Sequence, residues 1–198
     1  MYHFFIVIAI FLFSACSVKK TAITEYTINT HIHKSELNAT KCIDKSLKIS
    51  QAFSSSELMS LKMNYKEGDY KQFFYSQSQW ADSPNRVITT QIVKLLRESK
   101  LFQSVQTDKS RTNSEYILET NIEDFMQYFS KNSKDSFVNI VMTITLLDAQ
   151  TSMIVATKTF SVEMKSDTLD AEGGVSALNQ AFEDILVQMR GWLSGVCS

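Results

Sequence analysis

The chain has 198 residues, 44% of them apolar and 21% charged, with 20 Lys and Arg against 21 Asp and Glu. Near-even charge argues against a nucleic-acid binder, which carries a basic excess, and against an acidic disordered tail. Five Gly and one Pro leave little room for a flexible linker or a Gly-rich phosphate loop. His3, His31 and His33 are the only imidazoles, so histidine-based catalysis has few candidates.

Residues 4–13 form an unbroken run of ten apolar side chains. A membrane-spanning helix needs about 20, so this run suits the apolar core of a secretory signal instead. Ser14 and Ala15 follow, then Cys16. The string Phe13-Ser14-Ala15-Cys16 resembles the bacterial lipobox, although Leu is usual where Phe13 stands and no Lys or Arg precedes the apolar run. In such signals the Cys thiol receives a diacylglyceryl group, the chain is cut before it, and the new amine is acylated. The reading predicts a signal peptide over 1–15, a lipidated tether over 16–22 and a single domain over 23–198. Each buried CH₂ contributes ~0.8 kcal/mol, so two or more acyl chains anchor stably. The covalent lipid on Cys16 then holds the chain to a membrane without spanning it, and no other cofactor is expected. Ser17 lacks the Asp that favours inner-membrane retention in enteric-type sorting, so the expected location is the outer membrane, facing the periplasm. Lys19 and Lys20 in the tether suit a place near anionic head groups and equally suit a solvated linker.

Apart from Cys16, only Cys42 and Cys197 remain. In an oxidising compartment they can form one disulfide joining the start of the domain to its end, or stand as two thiols. No C-x-x-C pair supports a redox motif or a zinc knuckle.

Alternation of apolar and polar residues predicts a first strand over 24–32, with Tyr26, Ile28 and Ile32 on one face and His31 and His33 together on the polar face. Two imidazoles without a third ligand read as a solvated pair. Leu47, Ile49 and Phe53 repeat the pattern. Residues 58–65 and 70–75 flank Lys66-Glu67-Gly68-Asp69, which predicts a hairpin. Ser83 as cap and Pro84 as first helical residue open a helix whose stripe is Ile88, Ile92, Leu95, Leu96 and Ser99, ending near Lys100. A strand follows over 115–124, then a long hairpin of 136–147 and 153–164 around Asp148-Ala149-Gln150-Thr151-Ser152. Apolar residues on both faces of 137–147 mark it as a central strand. A helix over about 170–195 closes the chain, with Gly173 and Gly174 weakening its start. The methionines Met59, Met63, Met126, Met142, Met153, Met164 and Met189 read as core filler.

Strand runs flanking two amphipathic helices predict an α+β two-layer sandwich: a mostly antiparallel sheet with both helices on one face.

Several ordered segments carry a resemblance: Glu25-Tyr26-Thr27-Ile28, the stretch YSQSQWADSP with Tyr75, Trp80, Ala81, Asp82 and Pro84, LLRESKLFQSV over 95–105, and EYILETNIEDF over 115–125. Behind a lipobox, this order resembles the ABC-type transport auxiliary lipoproteins, the group that includes the PqiC lipoprotein, over residues 24–195. The resemblance implies a component of a lipid-trafficking system in which an ABC transporter complex and MCE-domain proteins work with a lipoprotein at the outer membrane. Such a lipoprotein would dock on the periplasmic end of the MCE assembly, with a homo-oligomer as one form, and help move phospholipid or related cargo.

No Gly-x-Ser-x-Gly elbow, P-loop, HExxH or GxGxxG occurs, and the expectation is a binding protein and not an enzyme. Candidate partner-facing residues are Tyr75 and Trp80, in an aromatic cluster with Phe73 and Phe74, and Phe125 and Tyr128, in a second cluster with Phe129; the competing role for each is core packing. One of Phe73 and Phe74 is expected to point inward. Two other functions stay open at this point: an assembly lipoprotein that binds an outer-membrane β-barrel, as in lipopolysaccharide export, and a TolB-like envelope module.

Overall fold

The computed structural model describes residues 22–31, 41–132 and 134–198. The lipobox with Cys16, the tether lysines and His33 lie outside the described residues. The strands are β1 (Thr24–Tyr26), β2 (Ser46–Ile49), β3 (Phe53–Ser54), β4 (Lys62–Glu67), β5 (Lys71–Trp80), β6 (Ser104–Thr107), β7 (Tyr116–Phe129), β8 (Ser136–Asp148) and β9 (Ile154–Lys165). The helices are α1 (Pro84–Ser99) and α2 (Ala171–Val196).

The 14-residue β7 organises the sheet. One edge runs antiparallel to β8 along its whole length. The other edge is shared in turn by β2, β3 and β4, all parallel to it. Beyond these, β2 pairs with β6, β4 with β5, β5 with β1, and β8 with β9. A bulge between Ile122 and Asp124 shifts the alternation by one residue. Leu118, Thr120 and Ile122 before it, and Phe125 and Gln127 after it, are therefore all buried opposite the inward residues of β8.

Strict alternation in β8 buries Val138, Ile140, Met142, Ile144 and Leu146 completely. They lie under α2, whose stripe of Ala181, Phe182, Ile185, Leu186, Met189 and Leu193 is equally buried. Each such large side chain contributes roughly 1.5–3 kcal/mol relative to exposure. The α1 stripe is buried at every position expected from its spacing, and α1 packs on β6 and α2.

Two helices accompany the sheet as expected, and its long pairings are antiparallel, but the sheet is mixed, so the expected antiparallel character holds only in part. Three long antiparallel pairings (β4–β5, β7–β8, β8–β9) coexist with five short parallel ones. Alternation along a strand reports which face is buried; it carries no information on the direction of the neighbour.

Other boundaries differ for identifiable reasons. The first strand stops at Tyr26 because the next segment turns to α2: Asn179 Oδ1 accepts from the Asn29 N–H, and Glu183 Oε1 from the His31 N–H. The segment 47–53 splits into β2 and β3, and the pattern slips between them. Ala52 and Ser54 are buried while Phe53 is 70% exposed. Residues 58–61 form a turn before β4, and β5 and β7 run on to Trp80 and Phe129. Strand β6, with Val105 as its one apolar residue, gave no periodic signal. Met59 and Met153 are exposed and fill no core, whereas Met63, Met126, Met142 and Met189 are buried.

Ser83 precedes α1 in an extended conformation without a side-chain cap, and Lys100 ends the helix in the left-handed region at φ 54°. At α2 the Asp170 carboxylate accepts from the Gly173 N–H. Cys42 and Cys197, both buried, are joined by a disulfide across 155 positions, and the Lys41 N–H donates to the Cys197 carbonyl.

Candidate docking surface

The β4–β5 hairpin turns at Gly68, whose φ of +61° favours glycine. It presents aromatic side chains on both faces of the sheet. On the helix side, beyond the start of α2, Tyr65 sits 5.5 Å from Phe73, 4.7 Å from Tyr75 and 5.3 Å from Phe129, ring centre to ring centre. The Tyr75 hydroxyl donates to Gln127 Oε1 at 2.8 Å, and Gln127 Nε2 donates to Ser136 Oγ at 3.1 Å. Burial, with Tyr65 and Asp170 nearby, pushes the Tyr75 phenol well above its ordinary range, so it stays a neutral donor.

On the opposite face Tyr128 stacks on Phe137 at 5.3 Å and 9°. Its hydroxyl donates to Asp124 Oδ2, which also accepts from Asn139 Nδ2. Burial first, and the Asp124 hydrogen bond second, raise this phenol strongly. Lys66 lies over Tyr128 at 5.5 Å and Lys62 over Phe74 at 4.8 Å, both within cation–π range. Neighbouring strands hold these rings in place, so the surface is organised before any partner arrives.

Two of the four residues expected to face a partner do not. Trp80 and Phe125 are 4% and 3% exposed and pack on each other, with Phe125 also against Phe182. They belong to the core because β5 and β7 extend far enough to carry them under α2. Tyr75 and Tyr128 are half-buried, each with its hydroxyl satisfied inside the protein. The rings of this hairpin that do reach solvent are Tyr70, Phe73 and Phe74. Phe73 and Phe74 are both partly exposed, against the expectation that one points inward, because Phe73 lies beyond the start of α2 and Phe74 is on the face away from it. Tyr70 was not singled out by spacing, although its place directly after Gly68-Asp69 marks a turn, where side chains face water.

Isolated carboxylates serve the frame. Ser46 hydrogen-bonds to Glu115 and holds its carboxyl below the usual range, and Thr151 does the same for Asp148 in the β8–β9 turn. Among the described residues no group of three or more His, Cys, Asp or Glu could hold a metal ion, and His31 is exposed.

The mixed sheet, backed by two helices, thus offers aromatic and lysine side chains on its β4–β5 hairpin. In sequence, residues 27–190 match the family described as ABC-type transport auxiliary lipoprotein component, and the chain belongs to that family. The family's description is that of a lipoprotein component auxiliary to transport. No curated protein matches the sequence. The fold is shared with the crystal structure of a DUF330-family protein from Xanthomonas campestris, at 18% identity and TM-score 0.76, covering 87% of this chain and 95% of that one. It is shared too with the crystal structure of an uncharacterized protein, at 14% identity and TM-score 0.66, covering 86% and 98%. Among the described residues no helix is long and apolar enough to cross a membrane.

Proposed function

We propose that the chain is the lipid-anchored, periplasm-facing auxiliary component of an ABC/MCE-type phospholipid transport system, held at the outer membrane through Cys16 and acting by docking on an MCE-domain protein. The observation that carries this reading is the family match over 27–190, which makes the chain an auxiliary lipoprotein of ABC transport. The exposed Phe73 and Phe74, with Lys62 and Lys66 beside them, supply the kind of aromatic and cationic surface that anchors a protein interface. Phospholipid as the cargo and the MCE protein as the direct partner rest on the sequence resemblance.

Affinity capture of the tagged full chain from gently solubilised envelopes tests the proposal. The expected result is co-recovery of an MCE-domain protein with the permease and ATPase of an ABC transporter. Recovery of an outer-membrane β-barrel with no MCE protein would replace this function with barrel assembly.

A further inference from the structure

Strand β1 is parallel to β5, with Thr24 opposite Ser78 and Tyr26 opposite Trp80. The N-terminal end of β1 therefore points toward Lys71 and the β4–β5 turn. Three connections meet at that end of the sheet. Glu67 is opposite Phe129, which brings the β7–β8 turn beside the hairpin, and the Gly68 N–H donates to the Phe129 carbonyl. Phe137 is opposite Lys165, which brings the end of β9 and the loop to α2 to the same level. Tyr70, 97% exposed, and Leu169, 50% exposed, project from these connections.

The length of the tether fits this end. Seven residues, 17–23, separate Cys16 from Thr24. Cys16 to Thr24 is therefore eight steps, at most about 29 Å fully extended. Ser78 to Lys71 is seven steps, about 23 Å at the rise of a strand. A lipid on Cys16 can thus reach the level of the hairpin turn and pass it by only about two residues' length.

We propose that this end of the sheet, led by Tyr70, rests in the headgroup layer of a phospholipid bilayer, with the β8–β9 turn at the opposite end directed away from it. The inference rests on the reading of Cys16 as the acylated residue. Tyr70 has the chemistry of an interfacial anchor, an apolar ring with a hydroxyl that stays wet. The connections at this end carry both signs, with Lys71, Lys131, Lys134 and Lys165 beside Glu67, Asp69, Asp135 and Asp167 in sequence, and Lys131 pairs with Asp69 at 2.9 Å and Lys165 with Asp135 at 3.6 Å. Contact therefore depends on the acyl chains and the tyrosine more than on anionic lipid, and is insensitive to salt.

The test uses the full lipidated chain in vesicles of phosphatidylethanolamine and phosphatidylglycerol carrying a headgroup-attached quencher. Lys71→Cys and Met153→Cys each place one dye, the first beside Tyr70 and the second at the exposed β8–β9 turn. The dye at 71 should be quenched several-fold more than the dye at 153, at low and high salt alike, and adding Tyr70→Ala should reduce the quenching at 71. Equal quenching at both positions, or stronger quenching at 153, overturns the orientation. Quenching at 71 that ignores Tyr70→Ala overturns the anchor. Flotation separates the two layers: a chain that floats with vesicles without the positional difference refutes only the orientation, whereas a chain that does not float refutes acylation and the orientation with it.

Discussion

Gly174, in the first turn of α2, lies directly against the side chain of Gln127 on β7: a Cβ at Gly174 would fall 2.0 Å from Gln127 Oε1 and 2.6 Å from its Cδ. Gln127 cannot swing aside freely, because it is 3% exposed and holds both Tyr75 and Ser136. Beside it, a Cβ on Gly173 would meet the backbone N and O of Thr168 at 2.7 and 2.6 Å. Of two glycines that lower helix propensity, Gly174 thus brings the start of α2 onto the sheet and Gly173 lets the loop before the helix fold close against it.

Gly174→Ala is accordingly expected to destabilise the protein by roughly 1–3 kcal/mol through overpacking, whereas propensity alone predicts a gain of about 1 kcal/mol. Urea unfolding of the two proteins decides it; a higher midpoint for the alanine variant at unchanged slope would show that Gln127 yields without cost.

The disulfide between Cys42 and Cys197 should stabilise mainly by restricting the unfolded chain. Closing a loop of 155 positions gives about 5 kcal/mol as an upper figure, reduced by residual structure in the denatured state. Cys42→Ser with Cys197→Ser is expected to lose about 3–5 kcal/mol in denaturant unfolding. The wild type should lose the same amount on reduction, and the double variant should not respond to reductant. Finding both thiols free in the native, unreduced protein would remove the bridge from the account.

The helices were legible in the sequence and the sheet only partly so. Ile88, Ile92, Leu95, Leu96 and Ser99 declare their buried face because period and burial coincide within one element. The two halves of the β8–β9 hairpin were equally plain. The parallel edge of β7 was not, because its contacts join residues far apart in the chain: Leu47 to Tyr116, Phe53 to Asn121, Tyr65 to Gln127. The same long-range geometry sorted the aromatic residues. Trp80 and Phe74 look alike in a local window, yet Trp80 falls under the core and Phe74 outside it, since the register shift between β4 and β5 places the two rings on different faces of the sheet.

That sorting predicts two opposite phenotypes. Trp80→Ala should cost about 3–5 kcal/mol of stability by emptying a core position, with partner capture reduced only as far as folded protein is lost. Phe73→Ala with Phe74→Ala should leave the unfolding midpoint nearly unchanged, because both rings are substantially exposed, yet should weaken co-recovery of the MCE-domain partner. Undiminished recovery by this double variant, measured on equal amounts of folded protein, would move the docking surface elsewhere.

Acylation at Cys16 is tested by Cys16→Ala in cells. The variant is expected in the soluble or unprocessed pool, and its mass should lack acyl groups. Retention in the membrane pellet with an unchanged acylated mass would refute the lipobox reading and remove the membrane placement built on it.

Asp170 provides a pH signature at the start of α2. Its carboxylate accepts from the Gly173 N–H at 2.9 Å and from the Thr168 hydroxyl at 2.6 Å, and these bonds, the backbone one foremost, hold its pKa below the ordinary carboxylate value. A depressed folded pKa means that the unfolded chain binds the proton first. The stabilisation is therefore complete above the unfolded value of about 4 and disappears as pH falls through the folded pKa. Asn also caps helices well, so Asp170→Asn should resemble the wild type near neutrality. Between about pH 5 and pH 2 the wild type should lose more stability than the variant, because only the wild type has this proton to take up. Glu115 and Asp148 are depressed in both proteins and cancel in the comparison. Parallel stability curves for the two proteins across that range would show that the cap contributes no charge-dependent term.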